Sequence, residues 1–147
     1  METFDFVHLS MMFSAFTELQ WSELINDVVR VLKYDGWIES SEAIPQFINC
    51  GKVTKYIEEA VHIACMKEKG VNLSISALLP KMLESNEMLT NIQCVKVEYP
   101  IGEWFGCFGK YSIINIRRFY QSIVYLPEYL GITYEEYNDI LDTFVKE

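Results

Sequence analysis

The chain has 147 residues and carries 21 acidic against 12 basic residues, which gives a formal net charge of −9. Half of its residues are hydrophobic and 14% are aromatic, enough for one well-formed core, so we expect a single globular domain over residues 1–147. A disordered chain would be poorer in aromatic and branched aliphatic side chains. A nucleic-acid binder would normally be basic, because phosphate neutralisation supplies most of its affinity, so we expect no nucleic-acid partner.

The start of the chain lacks membrane and secretory signals. The longest uncharged run near the start, residues 6–17, is shorter than the roughly 20 residues that span a bilayer. The first basic residue is Arg30, whereas a secretory signal begins with a basic segment. We therefore expect a cytoplasmic protein with no membrane partner. The four cysteines form no C-x-x-C pair and are expected to stay reduced and buried.

The first third of the chain predicts helices. Thr17 and Gln20 are spaced as a capping box, and apolar residues then recur at helical spacing as far as Leu32. The pair Asp35–Gly36 is the predicted stop of this helix, because glycine tolerates the left-handed conformation that ends helices. A second, short helix is predicted over residues 42–48, with Pro45 in its first turn.

The middle of the chain combines helical and strand-like patterns. Apolar stripes predict helices over residues 53–69 and 76–84. Val95, Val97 and Tyr99 then alternate with polar residues, which is the periodicity of a strand. The segment 104–108 is a candidate return strand, so a small β-hairpin is an option near residues 92–108.

The last part of the chain predicts two further helices. Ser112 is the expected cap of a helix that stops before Pro127. Thr133 and Glu136 form a capping box for the final helix, whose predicted core stripe is Tyr134, Tyr137, Leu141 and Phe144. The predicted fold class is therefore mainly α, an irregular bundle of five to seven helices to which the hairpin is an optional addition.

Motifs for catalysis or cofactor binding are missing from the sequence. It contains neither the phosphate-binding glycine patterns nor a G-x-S-x-G nucleophile elbow. His62 and Cys65 share one face of a predicted helix, but a zinc site needs two further ligands that no paired spacing supplies. A Cys–His nucleophile pair stays open, since its partners would meet only in space. We expect a protein that is not an enzyme, with no catalytic residues, no cofactor and no metal.

The charge and the aromatic residues are unevenly distributed. Residues 1–51 and 119–147 have net charges of −6 and −5, whereas residues 52–118 have +2. Eleven of the 21 aromatic residues lie between Tyr99 and Tyr137. The turn near residues 128–136 resembles that of a helix-turn-helix, but the acids that follow would face phosphates with the wrong sign. These acids form either a solvated helix face or a docking surface with aromatic anchors. The candidate partner-binding residues are Glu103, Trp104, Glu128, Tyr129, Glu135, Glu136, Asp139 and Asp142.

The sequence favours a dedicated binding protein for a basic macromolecule. The concrete form is an immunity or antitoxin-type protein that occludes the active site of a nuclease-like toxin, because an acidic surface matches a phosphate-binding cleft. One alternative is a phage or mobile-element inhibitor that mimics nucleic acid, with acids spaced along an extended surface. A small helical ligand-binding protein and a structural subunit are further alternatives. The oligomeric state is left open by the sequence.

Overall fold

The structure, a computed structural model, describes residues 3–147. These residues form a mainly α fold with a small β element, as predicted. The helices are α1 (Glu18–Val31), α2 (Lys52–Lys69), α3 (Leu79–Glu84), α4 (Gly106–Ser122), α5 (Leu126–Leu130) and α6 (Tyr134–Lys146), and the strands are β1 (Phe4–Ser10) and β2 (Leu32–Ser41). Short 3₁₀ turns cover Ile75–Ala77 and Glu103–Phe105. Over the described residues, none of the helices is long and apolar enough to cross a membrane.

The described residues divide into two compact units. The first contains the residues up to Pro45 together with Cys65–Val95, and the second contains Gln46–Ala64 and Lys96–Glu147. Helix α2 therefore contributes residues to both units. The organisation as a single domain stays a prediction.

The first unit is built on a β-α-β arrangement. Thr17 caps α1 with the predicted box: its side chain accepts a hydrogen bond from the Gln20 N–H, and the Gln20 side chain accepts one from the Thr17 N–H. The helix buries Trp21, Ile25 and Val28. The strands on either side of it, β1 and β2, pair in parallel, as the strands of such a unit do.

The helix ends earlier than predicted and the chain passes directly into β2. The prediction that Asp35–Gly36 stops the helix is wrong, because these two residues lie in the strand. Phe4 pairs with Leu32 and Phe6 with Trp37, so residues 33–36 bulge out of the ladder. Asp35 accommodates the bulge with a left-handed φ of 61°.

The structure also lacks two other predicted elements, the short helix over residues 42–48 and the hairpin near residues 92–108. Residues 42–50 contain no helix, and Glu42 instead accepts hydrogen bonds from the N–H groups of Met12 and Phe13 at 2.6 and 2.8 Å. Residues 92–108 contain no strand, so the hairpin is wrong: 92–101 is irregular and α4 already begins at Gly106. The alternating pattern near residue 97 lacks a partner strand, and side-chain alternation alone does not form a sheet.

The second unit is organised around the antiparallel helices α4 and α6. Arg117 contacts Asp142, whereas Gln121, four residues further along α4, contacts Asn138, four residues earlier on α6. The core includes Tyr120, Ile57, Leu126 and three of the four predicted α6 residues, Tyr137, Leu141 and Phe144. The fourth, Tyr134, was wrongly predicted to be buried, since it is 54% exposed.

The last residue of the chain caps the start of α2. The Glu147 carboxylate accepts hydrogen bonds from the Thr54 N–H at 2.8 Å, the Thr54 hydroxyl at 2.9 Å and the Val53 N–H at 3.2 Å. These bonds hold the pKa of Glu147 below its usual value. The interaction satisfies N–H groups that the first turn of a helix leaves without partners.

Candidate functional site: an exposed aromatic cluster

A glycine-rich turn precedes α4 in the second unit. Gly102 has a φ of 123°, which side chains rarely adopt. The Gly102 N–H donates to the carbonyl of Gly109 at 3.2 Å, and a Cβ at Gly109 would collide with the Gly102 carbonyl oxygen. The Phe105 N–H donates back to the Gly102 carbonyl at 3.2 Å. The backbone thus closes the turn and leaves its side chains on the outside.

Four aromatic side chains form a continuous cluster on and beside this turn, which we call the aromatic cluster. Its members are Tyr99, Trp104, Phe105 and Phe108, with exposed fractions of 64%, 76%, 51% and 51%. Tyr99 stacks on Phe108 with ring centroids 5.7 Å apart, and Phe105 meets both Trp104 and Phe108 edge to face. The Trp104 Nε1–H donates to the Ile101 carbonyl at 3.1 Å, which orients the indole without burying it.

The exposed area of the aromatic cluster is comparable to that of the largest apolar patch on a typical monomer. An aromatic side chain offers about 200 Å², so four that are half to three-quarters exposed present about 500 Å². The largest apolar patch on a typical monomer is about 300–600 Å² and is often functional. Trp104, predicted from the sequence as a partner-binding residue, is therefore the most exposed member of a surface suited to binding and lies at one end of it.

Ionic groups border the cluster. The side chain of Glu103 is 79% exposed and lies 3.9 Å from the Lys110 ammonium, a loose pair that solvent screens. Lys96 and Glu98 precede Tyr99 in the chain and are also exposed. The cluster thus has an apolar centre and a rim of mixed charge, the usual anatomy of a protein interface.

The acidic helix α6 forms a separate surface. Of its four predicted partner-binding acids, two are held by neighbours within the second unit: Glu136 accepts bonds from the N–H and hydroxyl of Thr133, which lower its pKa, and Asp142 pairs with Arg117 at 2.6 Å. The other two, Glu135 and Asp139, are exposed on the side of α6 away from its buried residues. Among these four acids of α6, only Glu135 and Asp139 present carboxylates free of protein partners to solvent.

The predicted partner-binding residues therefore fall into two groups. Glu103 and Trp104 lie at the N-terminal end of α4, and the acids of α6 begin beside its C-terminal end. A helix of 17 residues is about 25 Å long, so one small partner domain can cover both groups only with an extended footprint. Glu128 on α5 is exposed and Tyr129 is half-buried, near the acidic group in the chain.

Sequence reasoning missed several exposed aromatic residues. In the aromatic cluster, Tyr99 was assigned to a strand and Phe105 and Phe108 to its return strand, although their spacing around three glycines indicates a turn. In the first unit, the segment from Phe4 to Leu9 is rich in aromatic and branched aliphatic residues, a composition that favours a strand. Trp37 lies beside Phe6 on this sheet and is 62% exposed.

The described residues offer little support for a metal site or for a pocket that binds a small molecule. No group of three or more His, Cys, Asp and Glu side chains within residues 3–147 is arranged to hold a metal ion. A cavity of about 10 Å³ lies in the first unit against Trp21, Leu79 and Leu83, whereas organic ligands occupy pockets of about 300–1,000 Å³. Cys65 is buried, but Cys94 and Cys107 are exposed, so burial of all the cysteines was wrongly predicted.

Comparisons with known proteins find no matching family model, no matching curated protein and no matching solved structure.

Proposed function

We propose that the chain is a non-enzymatic binding protein that inhibits a basic protein, most concretely an immunity or antitoxin-type inhibitor of a nuclease-like toxin. The observation that carries this proposal is the aromatic cluster, with Trp104 at 76% exposure. Tryptophan and tyrosine are enriched among the residues that dominate binding energy. An exposed apolar surface of this kind marks an interaction site, because a partner that covers it removes apolar area from water.

The charge of the chain supports a basic partner. The net charge of −9 attracts a positive surface at long range, and the free carboxylates of Glu135 and Asp139 add a local contribution. Complementary charge of this kind raises the association rate and selects against acidic competitors. A nuclease active-site cleft is basic because it binds phosphates, so covering it would inhibit the enzyme. Inhibition would take place in the cytoplasm, before a toxin reaches nucleic acid.

The aromatic cluster favours an inhibitor over a nucleic-acid mimic. A mimic needs acids repeated along one surface at phosphate-like spacing and no central apolar anchor. Here Glu136 is held by Thr133 and Asp142 by Arg117, which interrupts the acidic row on α6. The apolar anchor is instead a separate feature of the second unit.

The test starts from the partner, identified by affinity purification from the native host and then produced in pure form. Its activity on nucleic acid is measured with increasing amounts of the inhibitor, and affinity is measured by calorimetry. We expect stoichiometric inhibition. Trp104→Ala should weaken binding by about 30-fold or more, the loss typical of an interface hot spot. The control Met88→Ala, at a residue 78% exposed in the first unit, should bind normally.

The acidic surface is tested with a matched pair of charge reversals. Glu135→Lys combined with Asp139→Lys should slow association at low salt, and salt should reduce the difference. Glu84→Lys combined with Glu87→Lys changes the net charge equally, but at exposed residues of the first unit. If both pairs of substitutions slow association equally, the attraction of the partner comes from the overall net charge and not from Glu135 and Asp139. A partner that is acidic, or that binds Trp104→Ala as tightly as the wild type, would contradict the proposed function.

A further inference from the structure

The sheet of the first unit has an open edge. β1 pairs only with β2, in a sheet of two strands. A two-stranded sheet is marginally stable in water, and an unpaired edge offers its N–H and C=O groups to another strand. The state of this edge therefore determines what the unit can bind.

The two outer edges of the sheet differ in their protection. The edge of β2 is interrupted by the bulge at residues 33–36, where Asp35 has a left-handed φ, and it carries three charged residues, Lys33, Asp35 and Glu39. Bulges and charges of this kind prevent pairing with other chains. β1 has no proline or lysine and only one acid, Asp5, among its seven residues. The edge of β1 is thus the unprotected one.

The face of the sheet that carries Phe6 also lacks a cover. Phe4, Phe6 and Trp37 are 52%, 54% and 62% exposed, and the Phe6 ring stacks on His8 with centroids 6.4 Å apart. Parallel sheets are normally buried on both faces. Here the residues of the other face, including Leu9 and Ile38, line a cavity with the α1 residues Trp21 and Ile25.

We propose that β1 pairs antiparallel with β1 of a second copy of this chain, giving a four-stranded sheet with the order β2-β1-β1-β2. The positions of the rings on β1 select a second copy as the occupant, because the strand is complementary to itself in one antiparallel register. With Val7 on the two-fold axis, Phe6 lies opposite the other copy's His8 and Asp5 opposite the other copy's Leu9, so no like charges meet. A basic partner would find only one carboxylate on this strand, and the Lys33 ammonium already pairs with it at 3.0 Å.

The geometry of the pairing follows from the side-chain alternation. A two-fold axis perpendicular to the sheet keeps the same faces together in both copies. Phe4, Phe6 and His8 of the two copies then form one continuous aromatic strip, and the faces against α1 stay on the opposite side. Seven residues span about 24 Å, which is a full-length strand pairing.

The test is the oligomeric state of the intact chain by sedimentation velocity over a range of concentrations. We expect a reversible dimer. Phe6→Lys should raise the dissociation constant roughly tenfold or more, because two symmetric Phe–His pairs are lost. Leu19→Lys is the matched control, since this residue of α1 is 71% exposed and lies away from the sheet. It should dimerise normally, and circular dichroism verifies the folding of both variants.

Amide hydrogen exchange on the wild type tests the site even if Phe6→Lys fails to fold. Protection of the β1 amides should increase with protein concentration, whereas the aromatic cluster should show no such change. A wild type that stays monomeric, or a dimer whose β1 amides gain no protection, would overturn the proposal. Folded Phe6→Lys that dimerises like Leu19→Lys would do the same. Because the cluster lies in the second unit, Phe6→Lys should still inhibit the basic partner.

Discussion

Replacement of Trp104 by alanine separates a surface role from a core role. Only about a quarter of this residue is covered, so the side chain buries about 60 Å² of a possible 250 Å². At about 25 cal/mol per Å², its loss lowers the free energy of unfolding by about 1.5 kcal/mol. Trp21 is completely buried in the first unit, and Trp21→Ala should cost about 3–5 kcal/mol.

The comparison is made by urea unfolding at neutral pH. Far-UV circular dichroism is the suitable signal, because each substitution removes one of the three tryptophans that contribute to fluorescence. Both variants should keep the wild-type dependence on urea, so that the midpoints report stability alone. If Trp104→Ala costs as much as Trp21→Ala, Trp104 is part of a core, and the argument that its exposure marks a binding surface is refuted.

Three further substitutions test the second unit by unfolding measurements. Tyr137→Phe removes a buried hydroxyl that donates to the Tyr120 carbonyl at 2.8 Å. It should lower the free energy of unfolding by only about 1 kcal/mol, because the carbonyl still accepts a hydrogen bond from the Ile123 N–H. An unchanged free energy of unfolding would show that the bond contributes nothing to stability. Thr133→Ala removes the cap of α6 and should also lower the free energy of unfolding by about 1 kcal/mol. Thr133→Ser keeps the capping hydroxyl and should have the stability of the wild type. Glu147→Gln should lower the melting temperature at neutral pH. Because the pKa of Glu147 is lowered by folding, its contribution is present above its unfolded pKa and disappears as the pH falls through the lowered one, so the two proteins should converge in acid. A constant difference at every pH would contradict this.

The helix starts were the most predictable part of the fold because their signals are local. The boxes at Thr17 and Thr133 depend on residues three positions apart, and both are formed as predicted. Strand β2 was missed because Asp35–Gly36 was interpreted as the stop of a helix, whereas a pairing with β1, distant in the chain, holds these residues in a bulge. Sheet pairing depends on partners that are distant in the chain, and a local sequence pattern does not identify these partners.

The candidate site was predictable in residue type but not in arrangement. Trp104 and Glu103 were identified from aromatic and acidic content. Their exposure to solvent depends on tertiary packing, which could not be predicted from the sequence. The role of Glu136 in the box was predicted from its spacing to Thr133, but Glu136 was nevertheless also counted among the partner-binding acids. The pairing of Asp142 with Arg117 joins residues 25 positions apart and required the structure.

The cap that Glu147 places on α2 has a consequence for the order of folding. Its bonds to Thr54 join residues 93 positions apart, so they form only after the chain between them has closed a long loop. Contacts of such separation contribute little to an early nucleus and belong to the last steps of assembly. Their loss should therefore speed unfolding while leaving the folding rate nearly unchanged, which makes this end of α2 a determinant of how long the second unit stays folded.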